Sequence, residues 1–218
     1  MKPLLSHKER FEKFVIKDDH PCIMSKSVIG SNNYNLNSYE GFGSKAAARQ
    51  ILKDIEKYLK DYDFSNNDFF TFIAVFNNNQ NYTEIAFEKL LWKQLQHIHD
   101  LDDTIWDETV SNNPKTKTFS FSIKGVAFYV VGMHPNSSRN ARRSPYPTLV
   151  FNLHWQFEKL REMGVYERIR DTIRKRDKEK NGSINPMVLD FGKKSEAAQY
   201  SGREVGLDWE CPFKHKGK

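Results

Sequence analysis

A hairpin in the middle of the chain constrains the fold more than any other feature. Residues 116–123 alternate between apolar and polar side chains, Lys124-Gly125 follows as a tight-turn pair, and Val126–Met133 is almost continuously apolar. Short turns that contain glycine join antiparallel strands, and a strand that is apolar on both sides is buried on both faces of its sheet. The pattern predicts an antiparallel hairpin whose second strand is central and ends at His134.

Other segments predict helices and strands around this hairpin. Apolar residues three and four positions apart are typical of helices, and short β-rich apolar runs are typical of strands. In chain order the predicted elements are a short helix after a capping box at Ser6 and Glu9, a long helix over residues 44–62, a strand over 69–76, a helix capped at Asn81 and Glu84, a strand over 148–153, and two helices over 154–178 that are separated at Gly164.

In two segments the apolar residues follow neither the helical nor the strand spacing. Residues 20–43 are rich in Ser, Asn and Gly and are predicted to be a loop with at most one helical turn. The chain beyond Asn181 is also predicted to be irregular, and its late aromatic residues, Trp209 and Phe213, indicate that it packs on the domain. Together the elements predict a single α+β domain over residues 1–218, with a mainly antiparallel central sheet flanked by helices.

Composition narrows the class of protein. Hydrophobic residues make up 38% of the 218 residues, with 16 Phe and nine Tyr, which is enough for an aromatic-rich core. No apolar run approaches the roughly 20 residues that span a bilayer, and the start of the chain lacks a secretory signal pattern. The only cysteines, Cys22 and Cys211, are too few for a disulfide framework or a structural zinc site. We therefore expect a cytoplasmic protein with no membrane partner.

The formal net charge of +6 favours anionic partners in principle. Much of the excess, however, lies in residues 161–180, where Lys and Arg are interleaved with Glu and Asp at helical spacing. That spacing is typical of a solvated helix face. Nucleic acid is therefore not an expected partner.

The segment after the central strand is the leading candidate for a functional site. His134 is followed by Asn136, Ser137 and Ser138, which carry short hydrogen-bonding groups, and then by three arginines. These arginines are Arg139, Arg142 and Arg143. Guanidinium groups bind carboxylates and phosphates, so the segment suits an anionic ligand. The alternative is an ordinary turn whose arginines make surface ion pairs, and composition alone favours it.

Further candidate ligands lie elsewhere. His20-Pro21-Cys22 combines an imidazole with a thiol, His154 follows an apolar strand, and Cys211 lies between aromatic residues. Each is also explained by ordinary packing or turn formation. Gly-rich phosphate loops, GxSxG elbows and HExxH motifs are absent from the sequence. A cofactor site must therefore be of another kind.

Several separated motifs resemble the YqcI/YcgG family. They occur in the family's order and together cover about residues 20–213. The motifs are His20-Pro21-Cys22-Ile23-Met24, the strand over 69–76, the segment from His134 to Arg143, residues 147–154, Ser183-Ile184-Asn185-Pro186, Gln199-Tyr200-Ser201-Gly202-Arg203 and residues 209–213.

The resemblance implies haem-dependent oxygen chemistry. Family members related to the guanitoxin and argolaphos pathways N-hydroxylate the guanidino group of arginine-like amino acids. The cofactor would be haem b, with His134 as the leading axial ligand and Cys211, His20 and His154 as alternatives. Arg139, Arg142 and Arg143, with Asn136 and Ser138, would then contact the cofactor and hold its propionates.

The resemblance also implies which substrates and redox partner the protein would use. The substrates would be dioxygen and a small guanidino amino acid, and a separate reductase would supply electrons, since the chain has no flavin or nicotinamide motif. A guanidinium group would need a carboxylate partner, and the candidates are Glu40, Asp190, Glu196 and Glu210. The competing hypothesis is a haem or small-ligand binding protein, such as a sensor, that performs no catalysis.

Overall fold

The centre of the molecule is a five-stranded sheet. The computed structural model describes residues 5–66, 68–77, 80–185 and 193–217. Its strands are β1 (Tyr34–Tyr39), β2 (Thr71–Phe76), β3 (Phe121–Ile123), β4 (Val126–Met133) and β5 (Thr148–Leu153). They lie in the order β1-β2-β5-β4-β3, in which β1 and β2 are parallel and the other neighbours are antiparallel. The fold is therefore α+β with a mostly antiparallel sheet, as the sequence predicts.

The predicted hairpin is present. Lys124 and Gly125 both have positive φ angles, +53° and +73°, which suit a two-residue turn between antiparallel strands. β4 pairs with β3 on one side and with β5 on the other, so it is internal to the sheet. The first strand is shorter than expected, because residues 113–119 form turns in which Thr116 N–H donates to Asn113 and Phe119 N–H donates to Thr116.

Helices cover both faces of this sheet. They are α1 (His7–Glu12), α2 (Ile23–Gly30), α3 (Lys45–Asp61), α4 (Glu84–Leu101), α5 (His154–Glu162) and α6 (Tyr166–Asn181). A π-helical turn, Lys13–Lys17, follows α1, and 3₁₀ turns occur at Asn140–Arg142 and Glu196–Gln199. Within the described ranges, no helix is both long enough and apolar enough to cross a membrane.

Alternation along the strands creates two separate apolar faces. Successive strand side chains point to opposite sides of a sheet. On β4, Phe128 and Val130 pack with α3 and α4 in the larger core, whereas Met133 belongs to a second cluster with α1 and α2 residues such as Phe11 and Ile29. The larger core lies on one side of the sheet, and the second cluster lies on the other.

Two sequence predictions are wrong in detail. Residues 20–43 contain α2 and β1 rather than a loop. β1 alternates Asn and Ser with its apolar residues, so it lacks the usual composition of a strand, and its parallel pairing with β2 holds it in the sheet. The cap of α4 is Thr83, whose hydroxyl accepts from Ala86 N–H, rather than Asn81.

The C-terminal segment packs on the domain, as predicted. Phe213 is buried in the larger core, Trp209 packs against it, and Tyr200 is fully buried. Tyr200 also reaches β4, because its carbonyl accepts a 2.7 Å hydrogen bond from Gly132 N–H. This bond explains why the central strand carries glycine at its crowded end.

Gly132→Ala is expected to destabilise the fold. A Cβ atom at this position would lie 2.5 Å from Leu91 Cδ1 and 2.7 Å from the Tyr200 carbonyl oxygen. Such overpacking typically costs about 1–3 kcal/mol in the free energy of unfolding, which a urea titration would measure. Gly30→Ala is the matched control, since a Cβ atom there meets nothing within 4 Å. Equal stability of Gly132→Ala and wild type would contradict the crowding.

Candidate functional site

A cavity of about 340 Å³ lies between the sheet and the helices on its second face. Ile73, Tyr129, Val131, Met133 and Val150 form its floor on β2, β4 and β5. α2, α5 and α6, with the α1 region, supply the remaining walls. Its volume lies in the range of roughly 300–1,000 Å³ that is typical of small-molecule sites, and its lining is mainly apolar. This cavity is the candidate functional site.

The His20-Pro21-Cys22 motif forms part of the cavity wall. Cys22 caps α2, with its sulfur accepting from Ser25 N–H at 3.5 Å. His20 Nε2 donates to the Ala141 carbonyl at 2.9 Å, and Nδ1 accepts from Cys22 N–H at 3.2 Å. Burial lowers the pKa of His20 to about 4, so its imidazole is neutral at physiological pH. His20 therefore ties the loop after β4 to the start of α2.

His154 reaches the cavity from the start of α5. Its side chain is buried, and Nε2 lies 3.4 Å from Glu158 Oε1, one helical turn further on. Burial lowers the pKa of His154, whereas Glu158 favours the protonated form. A carboxylate behind an imidazole is the arrangement that orients histidine ligands of metals.

Two of the predicted arginines line the cavity, but both are held by backbone carbonyls. Arg142 is buried and donates to Gly132 at 2.9 Å, to Gln199 at 3.3 Å and to Tyr200 at 3.4 Å. Arg139 donates to the carbonyls of Ser183 and Ile184 and lies 4.0 Å from Asp177. Arg142 therefore fastens the C-terminal segment to β4, and Arg139 fastens the segment after α6 to the loop that follows β4.

Glu196 is the predicted carboxylate that reaches the cavity. Its side chain is 2% exposed, and Oε1 accepts from the Tyr200 hydroxyl at 2.7 Å. Burial raises the pKa of Glu196 to about 8, because the charged form is poorly solvated there. Glu40 and Glu210 are exposed, with Glu210 paired to Lys115, and Asp190 lies outside the described residues.

His134 lies on the other face of the sheet. It follows β4 directly, as predicted, but its ring stacks on Phe87 of α4 with centroids 4.5 Å apart. The cavity-lining residues of β4 are Tyr129, Val131 and Met133, and His134 is out of phase with them. The structure therefore does not bring the leading predicted iron ligand to the cavity.

The polar residues after His134 are engaged locally. Asn136 donates to the Tyr82 carbonyl, and Ser138 donates to Glu84 through both its N–H and its hydroxyl. Arg143 donates to the Ser137 carbonyl at 3.0 Å. These contacts fix the loop against the start of α4 and correspond to the ordinary-turn alternative, although backbone carbonyls rather than surface carboxylates bind the arginines.

Cys211 is also remote from the cavity. It packs against the larger core on the α4 side of the sheet, and burial raises the pKa of its thiol to about 12. A thiol with this pKa is protonated at physiological pH. Among the four predicted iron ligands, only His20 and His154 line the cavity.

Sequence analysis missed Asp177 as a cavity residue. It lies on α6, where Ile169, Ile173 and Asp177 are spaced four apart and therefore share one face. Asp177 accepts from Asn181 Nδ2 at 2.7 Å and from Asn185 N–H at 3.0 Å. The sequence does contain a signal for this role, because Asp177 continues an apolar row with Ile169 and Ile173 on an otherwise basic helix.

Comparisons with known proteins support the family resemblance. The profile of the YqcI/YcgG family matches residues 11–214. A curated relative, "Uncharacterized protein YcgG" of Bacillus subtilis (strain 168), is 21% identical over 214 residues, which cover 91% of this chain and 82% of that protein. No solved structure matches the chain. Because the family match spans nearly the whole sequence, this chain belongs to the YqcI/YcgG family.

Proposed function

We propose that this protein is a haem-dependent N-hydroxylase that uses dioxygen to hydroxylate the guanidino group of arginine or an arginine-like amino acid. The observation that supports this best is the apolar cavity, where two imidazoles, several arginines and two buried acids converge. Haem needs an apolar slot, an axial ligand and cationic groups for its propionates. The resemblance to guanidino N-hydroxylases supplies the reaction type.

The side chains of the cavity fit a haem. His154 would hold the haem iron, because Glu158 already lies beside its Nε2 in the way that a neighbouring carboxylate orients a metal-bound imidazole. His20 is a weaker choice, since both of its ring nitrogens are engaged with backbone groups. Arg139, Arg170 and Arg174 line the same cavity and are the proposed partners of the propionates.

Haem b, when bound, would supply the activation of dioxygen for insertion of one oxygen atom into an N–H bond. The second oxygen atom would leave as water, which requires two electrons from a separate reductase and two protons from solvent. The residues of the chain bind and orient the substrate. The apolar floor, including Ile73 and Val131, excludes water, and Glu196 offers a carboxyl group to the guanidinium end.

A turnover experiment tests this proposal. Purified protein loaded with haem is given reductant, ¹⁸O-labelled dioxygen and L-arginine, and the product is analysed by mass spectrometry. We expect hydroxyarginine that carries one labelled oxygen, and we expect His154→Ala to lose both the wild-type haem spectrum and this product. Stoichiometric haem binding without turnover of L-arginine or agmatine would contradict the enzymatic proposal and would favour a non-catalytic haem protein.

A further inference from the structure

We propose that α6 is a lid over the cavity and that a cluster of charged side chains at the surface holds this lid closed. The cluster, here called the clasp, consists of Asp19 with Lys26, Arg176 and Lys180. This inference rests on the proposed function in one respect, namely that this cavity is the ligand site. It adds the route by which a ligand enters and the contacts that control its entry.

One face of α6 forms a wall of the cavity. Its cavity-lining residues recur every three or four positions and are Tyr166, Ile169, Arg170, Ile173, Arg174 and Asp177. Of the α6 residues, all of which the structure describes, Asp177 alone is buried. A helix with so little buried surface separates from the domain at a lower cost in free energy than a core helix does.

Glycine residues lie at both ends of α6. Gly164 precedes the helix and Gly182 follows it, with φ angles of +67° and +75°. A Cβ atom at either position would meet nothing within 4 Å, so the backbone can turn there without displacing a neighbour. Val165, at the start of the helix, provides no side-chain cap. The two glycines are therefore suitable hinges, since hinges are a few residues at element ends that absorb changes in backbone angle.

The clasp joins α6 to the segment between the π-helical turn and α2. The Asp19 carboxylate accepts one 2.6 Å hydrogen bond from Arg176 of α6 and another of 2.6 Å from Lys26 of α2. Lys180 of α6 lies 3.5 Å from the same carboxylate. Hydrogen bonds from Lys26 and Arg176 hold the pKa of Asp19 well below its usual range, so Asp19 is ionised at physiological pH.

The clasp can break and re-form because it is polar and reaches solvent. The Asp19 side chain is 51% exposed, and exposed ion pairs are individually weak and are screened by salt. Asn140 closes the same end of α6 with neutral hydrogen bonds, to the Lys180 carbonyl and from its own N–H to the Asn181 side chain. Polar contacts of this kind exchange readily with water.

The helix on the other side of the first hinge is fixed. In α5, Gln156 is buried and donates to the Phe70 carbonyl at 3.1 Å and to the Tyr62 hydroxyl at 3.3 Å. Breaking these bonds would leave a buried amide without partners, which costs more than the loss of an exposed ion pair. A change of backbone angle at Gly164 therefore moves α6 rather than α5.

Hydrogen exchange followed by mass spectrometry tests the lid in protein without haem. We expect the α6 amides of wild type to exchange faster than those of α4, which packs in the larger core. In Asp19→Asn we expect them to exchange roughly fivefold faster still, because the clasp loses its charge. Asparagine tolerates the φ of +52° at this position, so the variant is expected to fold. Glu56→Gln, which removes an exposed carboxylate paired with Lys60 on α3, is the control and should leave α6 exchange unchanged.

A second measurement separates a lid from a ligand contact. Asp19 is not among the residues that line the cavity. Loss of the clasp should therefore raise the association and dissociation rates of an apolar fluorescent probe, anilinonaphthalene sulfonate, by the same factor and leave its Kd unchanged. Stopped-flow fluorescence of Asp19→Asn and wild type measures both rates, and hydrogen exchange decides alone if the probe does not bind.

Equal α6 exchange in Asp19→Asn and wild type, or joint exchange of α6 and α4 in wild type, would overturn the inference. A changed Kd of the probe with unchanged rates would overturn it as well. Neither measurement uses haem, so a protein that binds no haem still tests the lid. Haem binding with unaltered α6 exchange in Asp19→Asn would reject the lid alone and keep the proposed function.

Discussion

Glu196→Gln is expected to become progressively more stable than wild type as the pH rises from about 4.5 to about 8. In the unfolded chain this glutamate ionises near its ordinary pKa of 4.5, whereas in the folded protein burial raises the pKa to about 8. Between these values the folded state binds the extra proton. The free energy of unfolding therefore falls with rising pH, and the amide removes this loss.

The size of this effect follows from the shift. Each pKa unit corresponds to about 1.4 kcal/mol, so the stability difference between variant and wild type should grow by on the order of 5 kcal/mol across the window and then level off. Urea titrations at intervals of pH measure it. Glu210→Gln is the control and should give a flat difference. A flat difference for Glu196→Gln would show that the carboxyl group is ionised in the fold.

The variant must be compared with wild type at each pH, because the titration of His20 changes the free energy of unfolding in the opposite direction. Burial lowers the pKa of His20 from 6.5 to about 4, so the unfolded chain binds more protons between these values. Its contribution to stability is complete above pH 6.5 and is lost as the pH falls toward 4. Wild type alone therefore shows the two effects superposed.

Arg142→Met is expected to lose about 3–5 kcal/mol in the free energy of unfolding. Arg142 is buried, and its guanidinium donates to the carbonyls of Gly132, Gln199 and Tyr200. Hydrogen bonds from a charged group contribute about 1.5–3 kcal/mol each, and part of this loss is offset because methionine removes a buried charge. The methionine chain keeps much of the packing, so the change reports mainly on the lost donors.

Arg143→Met provides the control for this substitution. Arg143 is exposed and donates mainly within its own loop, to Ser137, so we expect a change of less than about 1 kcal/mol. Chemical unfolding followed by tryptophan fluorescence compares the two variants, because Trp209 lies in the segment that Arg142 fastens. Equal stability of the two variants would contradict the anchoring role of Arg142.

The sequence predicts most of the sheet because its signals are local. β4 and β5 occur with the predicted bounds, and the hairpin turn has the positive φ angles that Lys124-Gly125 indicates. β1 could not be predicted in this way. Its Asn and Ser residues lack strand preference, and only pairing with β2, far along the chain, holds it in the sheet.

The candidate site was harder to predict because it joins distant segments. His20, His154 and Glu196 meet only after α2, α5 and the C-terminal segment pack on one face of the sheet. The alternation of strand side chains could nevertheless have predicted which face of the sheet His134 occupies. His134 is in phase with Val130 and Gly132, which lie on the α4 side, and out of phase with Met133. Motif order identified the family without revealing which side chains share a cavity.

The most direct test of the central proposal is a haem titration of wild type, Val131→Trp and His134→Ala, followed by the Soret absorption band. Val131 lies on the cavity floor, whereas His134 lies on the other face of the sheet. We predict that wild type and His134→Ala bind one haem per chain and that Val131→Trp binds none. Circular dichroism checks that Val131→Trp is folded. If Val131→Trp does not fold, Val131→Phe is tested in its place. Absence of a Soret band in wild type, or loss of haem from His134→Ala with retention in the folded Val131 variant, would contradict a haem site in this cavity.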